Sequence, residues 1–465
     1  MSPVRRHPVL SGLVLGAVVV LALGAAAWQL GYLRIVKRGT GPAAPVHAVD
    51  LHRLAALVHP PAVSSGGDPL ARGKVLSATE SALNELIGSG GHSTVSWDSS
   101  TGLWDYAPLK EERATGKGRT PTWWQSAIAL DAVVRAATTL HSTDSSYQQV
   151  IQTTYDDNVS KPGTYAPQDF ENNYMDDTAW WGIAWVHAAE YELRVQHDTS
   201  AATTYLTVAE DDARYLEDQP KRCGTASIPF KDGYAPNTIT DTEFIDLAAQ
   251  LGQVRSHGPL ADAGLAAQWR ADATRTLSWL ESSGLVNMRT GAVHRTQDNH
   301  CRSVGPAQTY TEGEMADALV QVGLLTHDRS QINEATVFLN RVLEPRHRML
   351  VSGLLQEPCE GQTKICLGQS YNITVFKGLF DDAVADWSAA TGSEAYQPFL
   401  TTQAQAIIHN ATGLAHGGCT TPDSCQLSMY WARLIPQAHQ PIVPTPGSQA
   451  SGVSALVNAL QPEND

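Results

Sequence analysis

From Leu70 onward, the chain is dominated by segments in which apolar residues recur at helical spacing. In the first segment, Leu76, Leu83 and Leu86 fall on one face of a helix. About twelve such segments follow one another, and strands are scarce, although short ones near 94–97 or 291–295 fit the pattern. The predicted helices cover 71–88, 121–141, 145–157, 176–196, 200–218, 240–256, 261–283, 312–326, 330–343, 373–391, 394–409 and 425–438.

The connections between these helices alternate between short ones and long ones rich in Gly, Pro and aromatic residues. The long connections span 89–120, 219–239, 284–311 and 344–372. About twelve helices in antiparallel pairs predict an all-α fold, an (α/α)6 barrel, with the long loops forming a cleft at one rim. We assign this domain to residues 70–440. Residues 441–465 are interpreted as a C-terminal tail that ends in a short helix near 450–460.

The N-terminal segment has the features of a targeting sequence. An uncharged stretch from Pro8 to Leu33 lies between basic residues, and its apolar centre is long enough to span a bilayer core of ~30 Å. Small residues at Ala25-Ala26-Ala27 also suit signal peptidase. Residues 1–38 are therefore a signal anchor or a cleaved signal peptide, and the length favours the anchor. Residues 39–69, rich in Pro, Gly, Ala and Ser, form a linker, and the domain lies outside the cytoplasm, membrane-anchored or secreted.

Composition limits the class of partner. The 465 residues are 42% hydrophobic and 17% charged, which fits a globular protein with a large core. The formal net charge is −15, and no Lys/Arg cluster stands out in the body of the chain. Nucleic acid is excluded as a partner because phosphate binding needs concentrated positive charge. A neutral ligand fits better, and we expect a monomer.

The cysteines support an oxidising compartment. There are six, and Cys359 with Cys366 and Cys419 with Cys425 are close enough in sequence to form local disulfides. Cys223 and Cys301 are then left to pair over a long range, as one of the 15 possible connectivities. A zinc site is disfavoured, because no CxxC occurs and the nearby histidines lack a repeated ligand spacing.

One of four Asp-Asp pairs stands out by its context. The pairs at 156–157 and 211–212 fit a solvated helix face or a cap, and the pair at 381–382 lies within a helix. Asp176-Asp177 instead begins a helix, between Asn172-Asn173 and Trp180-Trp181. The helix start favours one ionised carboxylate, and the indoles can raise the pKa of the other. Neighbouring acids at a loop-to-helix junction can meet the spacing of about 5–5.5 Å that a retaining glycosidase needs.

Paired tryptophans accompany this pair. Trp123-Trp124 and Trp180-Trp181 each open a helix. Aromatic residues at helical spacing more often belong to the core, but the two rings of each doublet diverge. We therefore predict one core ring and one cleft-facing ring in each doublet, with Trp124 and Trp181 on the cleft side. Flat apolar rings beside paired carboxylates indicate a carbohydrate-cleaving site.

At these residues the chain resembles glycoside hydrolase family 76, the endo-α-1,6-mannanases and their fungal wall transglycosidase relatives. The family's DD-x-x-WW signature reads here as Asp176 to Trp181. Further similar segments, in the same order, are WWQ from Trp123, an Asn-x-x-Thr-Asp segment at 237–241, Thr-Tyr-Thr-Glu-Gly at 309–313 and FKG-Leu-Phe at 376–380. The similarity covers roughly residues 75–435.

The resemblance implies a retaining mechanism with Asp176 as nucleophile and Asp177 as general acid/base, and no metal or organic cofactor. It also implies substrate-binding roles for Trp124, Asn173, Trp181, Tyr310, Glu312 and Phe230. Phe230 stands where the family commonly has a Trp. Asp241 and the Thr311-Glu312 pair depart from the usual residues, which leaves the subsite preference open.

The leading hypothesis is an endo-acting glycoside hydrolase, which cleaves α-1,6-linked mannan or a mannan-bearing envelope glycan at internal linkages of the polysaccharide. A transglycosidase with the same acids is the first alternative, and a non-catalytic glycan-binding protein is the second. An enzyme acting on uronic-acid glycans would need clustered basic residues. Lys231, Arg295, Arg302 and Lys377 are scattered along the sequence, which disfavours that class.

Overall fold

The computed structural model of the chain divides into two compact units, and all described residues belong to the unit His52–Asp465. The structure describes residues 72–89, 95–106, 120–121, 123–160, 169–306, 308–344, 349–357, 360, 372–411, 425–431 and 444–460.

Twelve α-helices make up most of the described residues. They are α1 (Arg72–Ile87), α2 (Trp123–Thr139), α3 (Ser145–Asn158), α4 (Met175–Tyr191), α5 (Thr199–Glu217), α6 (Thr238–Ser256), α7 (Ala263–Ser282), α8 (Thr309–Thr326), α9 (Arg329–Leu343), α10 (Phe376–Thr391), α11 (Gln397–Ala406) and α12 (Pro446–Asn458). A π-helical turn extends α4 over Glu192–Gln196, and another extends α11 over Ile407–Ala411.

The even-numbered helices form a closed inner ring. Each packs on the next, and α12 returns to α2. Each odd-numbered helix packs outside an inner one, and α1 covers α12. Because an outer helix that runs back lies between each inner helix and the next, the inner helices point the same way and their N-termini share one rim. The predicted all-α (α/α)6 barrel is confirmed.

Burial separates the two rings. Nearly every residue of the inner helix α6 is buried, as expected for a helix packed on all sides. The outer helix α3 buries a single face through Tyr147, Val150, Ile151 and Thr154. The apolar periodicity of the outer helices is therefore the clearer sequence signal, because only they have a solvent face.

The C-terminal helix α12 is an integral part of this barrel, which corrects the predicted domain end at 440. All its residues are buried, and it packs against α1, α2 and α10. The amide of Gln449 donates to the carbonyls of Ala82 and Cys425, each at 2.8 Å. Without α12 the inner ring would stay open between α2 and α10, so residues 446–458 belong to the domain rather than to a tail.

Glycine allows α10 and α12 to approach closely. A Cβ on Gly378 would lie 2.6 Å from the Cα of Ser451, and the Gly378 N–H donates to Ser451 Oγ at 2.8 Å. Any side chain at this position would push the two inner helices apart. This contact accounts for the glycine of the FKG segment in structural terms.

The predicted helix at 425–438 is wrong over the residues described, 425–431, which are not helical. The Leu427 N–H donates to Gln449 Oε1 at 2.8 Å, and the Leu427 carbonyl accepts from Ser448 Oγ at 2.8 Å. The Met429 carbonyl accepts from Lys377 Nζ. Side chains of α10 and α12 thus take the backbone groups that a helix would need.

Short antiparallel strands occupy the connections. They are β1 (Trp97–Asp98), β2 (Leu103–Tyr106), β3 (Thr120–Pro121), β4 (Val286–Asn287), β5 (Ala292–Val293), β6 (Thr296–Gln297), β7 (Ser303–Val304), β8 (Leu350–Val351) and β9 (Leu354–Leu355), paired in the order β1-β2-β3, β4-β5, β6-β7 and β8-β9. The predicted Cys223–Cys301 disulfide is confirmed and joins the α5–α6 and α7–α8 connections. Cys425 is also disulfide-bonded.

Within the described part of the chain, no helix combines the length and apolarity needed to cross a bilayer. The segment predicted as a signal anchor or signal peptide, residues 1–38, and the linker after it lie outside the described residues. Their assignment stays a prediction.

Candidate active site

Asp176 and Asp177 lie in the first turn of the inner helix α4, at the rim where the inner helices begin. Tyr174 caps the helix with extended backbone and makes no side-chain capping bond. The N–H groups of Asp176 and Asp177, which bond the Asp176 carboxyl group, and the positive end of the helix dipole favour negative charge there. The residues are only partly exposed, so two carboxyl groups share a confined space.

Asn172 organises the loop that leads into this turn. Its Nδ2 donates to Asp177 Oδ2 at 2.5 Å, and its Oδ1 accepts from the Tyr174 N–H at 3.3 Å. The Asn172 N–H donates to Thr178 Oγ1 at 2.8 Å. These bonds fix the orientation of Asp177. In contrast, Oδ1 of Asp176 is buried and has no hydrogen-bond partner.

The two carboxyl groups differ in acidity. Burial raises the pKa of Asp176 to about 7, although the backbone N–H groups of Asp177 and Asp176 act in the opposite direction. Burial and then the negative charge of Asp176 raise the pKa of Asp177 well above its usual range. Asp176 therefore ionises first, and Asp177 keeps its proton while its neighbour is charged.

A hairpin between α5 and α6 is fastened to the start of α4. The Met175 N–H donates to the Phe230 carbonyl at 3.1 Å, and Tyr174 forms a β-bridge with Lys231. The rings of Tyr174 and Phe230 are 5.6 Å apart, and Lys231 Nζ lies 4.2 Å from the centre of the Tyr174 ring. Tyr234, in the same hairpin, is 57% exposed. This side of the Asp176-Asp177 pair, called the dyad below, therefore presents aromatic surface to solvent.

Tyr310, in the first turn of α8, faces the same space from another inner helix. Its ring stacks on Phe376 with centroids 3.8 Å apart. Burial, followed by the negative charge of Asp176, raises the pKa of Tyr310 well above its usual range. The hydroxyl therefore stays protonated and can donate a hydrogen bond near the dyad. Its predicted substrate contact stays a prediction.

Trp181 is a core residue, contrary to the prediction that it faces the cleft. Its side chain is fully buried, and its ring lies 5.0 Å from Trp123, 4.9 Å from Phe170 and 6.1 Å from Trp185. Trp180 is also buried, so neither tryptophan of this doublet faces the cleft. An inner helix has no solvent face on which to place one ring of the doublet.

Glu312 is buried and lies toward the outer helix α9, which argues against its predicted substrate contact. Its side chain is fully buried, and Oε1 lies 3.8 Å from Nε of Arg341 on the outer helix α9. Its Oε2 accepts from Thr311 Oγ1 at 2.9 Å. Burial raises the pKa of Glu312 to about 8. The residue therefore sits between α8 and α9 rather than in the barrel opening.

The other predicted binding residues keep accessible surface. Trp124 is half-buried at the start of α2, Phe230 is half-buried beside Tyr174, and Asn173 is exposed directly before the helix cap. Their positions at the rim are compatible with substrate contacts, which stay predictions.

Two residues with a place at the site were not predicted. Asn172 binds Asp177 directly, whereas the predicted site residue was its neighbour Asn173. Glu243 on α6 is fully buried, with both carboxyl oxygens unpartnered and Asp176 its strongest charged neighbour. The Asn-Asn doublet was a usable signal for Asn172. A single Glu in a helix gives no signal for Glu243.

Two of the similar segments hold structural rather than catalytic residues. Asp241 accepts from the Ile228 N–H at 2.7 Å and anchors the loop before the hairpin. Lys377 is fully buried and donates to Glu360 Oε1 at 2.7 Å. Of the other scattered basic residues, Arg302 pairs with Asp298 at 2.6 Å, Arg295 lies close enough to act on the pKa of Tyr310, and Lys231 lies at the start of α4.

Among the described residues, no group of three or more His, Cys, Asp or Glu side chains is arranged to hold a metal ion. The dyad itself is likewise free of ion pairs with any Lys or Arg in the described ranges. Its protonation is therefore governed by burial, by the backbone N–H groups at the helix start and, for Asp177, by the charge of Asp176.

Comparisons with solved structures support the fold. An inactive variant of the α-1,6-mannanase GH76A from Salegentibacter sp. HEL1_6, with two consecutive aspartates replaced by alanine and α-1,6-mannotetrose bound, is similar at a TM-score of 0.60. Sequence identity to it is 16%, over 84% of this chain and 98% of that one. Dfg5 from Chaetomium thermophilum, in complex with glucosamine, is 18% identical at a TM-score of 0.65, over 84% and 92% of the two chains.

A third similar structure is the family 76 glycoside hydrolase (mannosidase) Bt3792 from Bacteroides thetaiotaomicron, at 12% identity and a TM-score of 0.59. It covers 83% of this chain and 97% of that one. No curated protein sequence matches the chain. The family model described as glycosyl hydrolase family 76 matches residues 99–460, a span that includes the dyad and the closing helix α12. The chain therefore belongs to glycosyl hydrolase family 76.

Proposed function

We propose that this protein is a retaining, endo-acting hydrolase of α-1,6-mannosidic linkages in mannan or mannan-bearing envelope glycans. The observation that carries the proposal is the Asp176-Asp177 pair at the barrel rim, two confined carboxyl groups with separated acidities. Support for the substrate comes from the similar α-1,6-mannanase, whose inactive variant lacks two consecutive aspartates and binds α-1,6-mannotetrose.

In the first step, ionised Asp176 attacks the anomeric carbon and forms an ester bond as the glycosidic C–O bond breaks. Protonated Asp177 transfers its proton to the departing oxygen. In the second step, Asp177 takes a proton from water, the water oxygen bonds to the anomeric carbon, and the ester bond breaks. Two inversions give net retention. Asn172, which holds Asp177 at 2.5 Å, orients the acid for both transfers.

The acidities of the pair suit these roles. Asp176 must lose its proton and Asp177 must keep one, so the pH profile of kcat/KM is expected to be bell-shaped. Activity rises as the pH increases through the pKa of Asp176, about 7 in the free enzyme. It falls again at higher pH, where Asp177 ionises. An aromatic rim formed by Tyr174, Phe230 and Tyr234 provides faces on which sugar rings can stack.

The test is incubation of the full-length protein with defined α-1,6- and α-1,2-linked mannosides. We expect cleavage of the α-1,6 series to a range of shorter oligosaccharides, which is the product pattern of an endo-acting enzyme. Release of mannose alone would contradict endo action, and preferential cleavage of the α-1,2 series would contradict the linkage. Failure to cleave either series would refute the proposed activity.

Transfer to another sugar is the second candidate function. The similarity to Dfg5, a fungal wall relative bound to glucosamine, supports transfer as an alternative to hydrolysis. The same two acids serve both outcomes, because only the acceptor in the second step differs. Addition of an acceptor oligosaccharide distinguishes them: a hydrolase still yields mainly new reducing ends, whereas a transglycosidase yields longer products.

A further inference from the structure

A third carboxyl group lies inside the barrel near the dyad. Glu243 occupies the second turn of α6, is fully buried, and has no hydrogen-bond partner on either carboxyl oxygen. A buried polar group without partners destabilises the fold. Among the described residues, no hydrogen bond accounts for a glutamate at this position.

The charged and titratable groups that interact electrostatically with Glu243 lie on three inner helices. Asp176 and Asp177 lie on α4, Tyr310 and Glu314 on α8, and Asp246 on α6 itself. Burial, followed by the charge of Asp176 and then those of the other acids, raises the pKa of Glu243 well above its usual range. Glu243 is therefore a neutral acid with a proton to donate.

An acceptor without a donor is present on the neighbouring helix. Oδ1 of Asp176 is buried and unpartnered. Helix α4 packs closely on α6, because a Cβ on Gly182 of α4 would lie only 2.5 Å from Cδ2 of Leu247, one turn after Glu243 on α6. Of the neighbouring charges, that of Asp176 acts most strongly on Glu243. We propose that Glu243 is a positioning residue, which donates its proton in a hydrogen bond to Asp176 Oδ1, directly or through one water molecule, and so orients the nucleophile. This inference rests on the proposed role of Asp176.

The bond would act in both chemical steps without any proton leaving Glu243. In the first step it fixes the carboxylate plane, so that the other oxygen of Asp176 points at the anomeric carbon. In the second step negative charge returns to Asp176 as the ester bond breaks, and the same donor stabilises that charge. Glu243 touches no reacting atom and acts only through Asp176.

The experiment compares Glu243→Gln and Glu243→Leu in the full-length enzyme on α-1,6-mannotetrose from pH 4 to 9. The Gln amide can still donate a hydrogen bond, so we expect kcat within about 3-fold of wild type. The rise of activity on the acidic side of the pH profile, called the acid limb below, should stay at the same pH. Leu removes the donor, and we expect a loss in kcat of about 10–100-fold with little change in KM. Its acid limb moves to higher pH, because Asp176 loses a hydrogen bond to its ionised form.

Asp212 offers a matched control. It is fully buried with both carboxyl oxygens unpartnered, although the sequence pattern placed it on a solvated face. It lies on the outer helix α5, where its charged neighbours are Glu171, Asp211 and Asp169 rather than the dyad. Asp212→Asn and Asp212→Leu should leave kcat and the acid limb unchanged.

Two outcomes would overturn the inference. One is normal kcat and an unshifted limb in a folded Glu243→Leu enzyme. The other is a shift of the acid limb to lower pH in Glu243→Gln, which is isosteric and tests the idea even if the Leu variant does not fold. Such a shift would mean that wild-type Glu243 is ionised. If wild-type enzyme cleaves no α-1,6-mannoside, the proposed function fails instead.

Discussion

The pairs Asp176-Asp177 and Asp381-Asp382 are the same dipeptide, each lies on an inner helix, and each has raised pKa values, yet their surroundings differ. Asp381-Asp382 lies in the middle of the α10 helix, where Asp381 is fully buried. Asp382 accepts from Asn458 Nδ2 at 2.7 Å and lies 3.6 Å from Arg135 Nε. The first pair begins its helix, remains partly exposed and forms no ion pair among the described residues.

The difference shows that a carboxyl pair becomes reactive through position rather than composition. Arg135 neutralises charge on α10 and pairs with Asp386 at 3.0 and 2.8 Å, which suits a structural role. At the rim, Asn172 binds Asp177, and the charge of Asp176 raises the pKa of Asp177, so ionisation of one acid keeps the other protonated. A retaining glycosidase needs that second arrangement.

The largest expected effect separates the two pairs by activity. Asp176→Asn should lower kcat by about 10⁴-fold or more, because the amide cannot act as the nucleophile. Asp381→Asn, the matched control on α10, should keep kcat within about 3-fold. The measurement is release of reducing ends from α-1,6-mannan. Similar losses in both variants would mean that the distinction between the pairs is wrong.

The next effect separates the two acids of the rim pair. Asp177→Asn should lower kcat on mannan by about 10²–10⁴-fold. On an aryl α-mannoside with a good leaving group, the first step needs no acid, so a burst of released phenol should remain. Stopped-flow absorbance measures the burst. Loss of the burst in Asp177→Asn, or its retention in Asp176→Asn, would reverse the proposed roles.

Arg135→Met tests what stabilises the pair on α10. Removing the cation leaves Asp382 and Asp386 without their ion-pair partner, and breaking a buried pair costs about 3–5 kcal/mol. The loss should be smaller at pH 5 than at pH 8. With Arg135 present, the pKa of Asp382 is about 6, so at pH 5 it binds a proton. Chemical denaturation at both pH values measures the free energy of unfolding, and an equal loss at both would contradict the explanation.

The smallest effect concerns the pH dependence of stability. Burial and the charge of Asp382 raise the pKa of Asp381 well above its usual range. The folded state therefore holds this proton more tightly than the unfolded state, and stability declines as pH rises above the unfolded pKa of about 3.9. Asp381→Asn should be about 1–3 kcal/mol more stable than wild type at pH 8 and equal to it at pH 4. A variant less stable than wild type at pH 8 would refute the assignment.

The helical content was predictable, but closure of the barrel was not. Outer helices such as α3 bury one face, so their apolar spacing marks them clearly. The inner helix α12 instead carries Gly447, Ser448, Gln449, Ser451 and Gly452, which resemble a surface tail in the sequence. These residues are buried because small side chains permit close helix contacts and the Gln449 amide is fully bonded. These contacts and hydrogen bonds can be recognised only once the positions of the neighbouring helices are known.

The dyad was predictable because adjacent acids at a helix start carry their own context. Trp181 could not be assigned from the same run, because the sequence does not say which helices lie inside the ring. Glu243 was missed for the converse reason: it is far from Asp176 in the sequence, and only the packing of α6 on α4 places it where the charge of Asp176 acts on it. Local chemistry is readable from residues, whereas burial and long-range pairing depend on topology.

The most direct test is NMR of the anomeric protons during the first turnovers of wild-type enzyme on α-1,6-mannotetrose. Two displacements through Asp176 predict that new reducing ends appear first as the α-anomer and only later mutarotate. Initial release of the β-anomer would show single inversion and would contradict the assigned roles of Asp176 and Asp177.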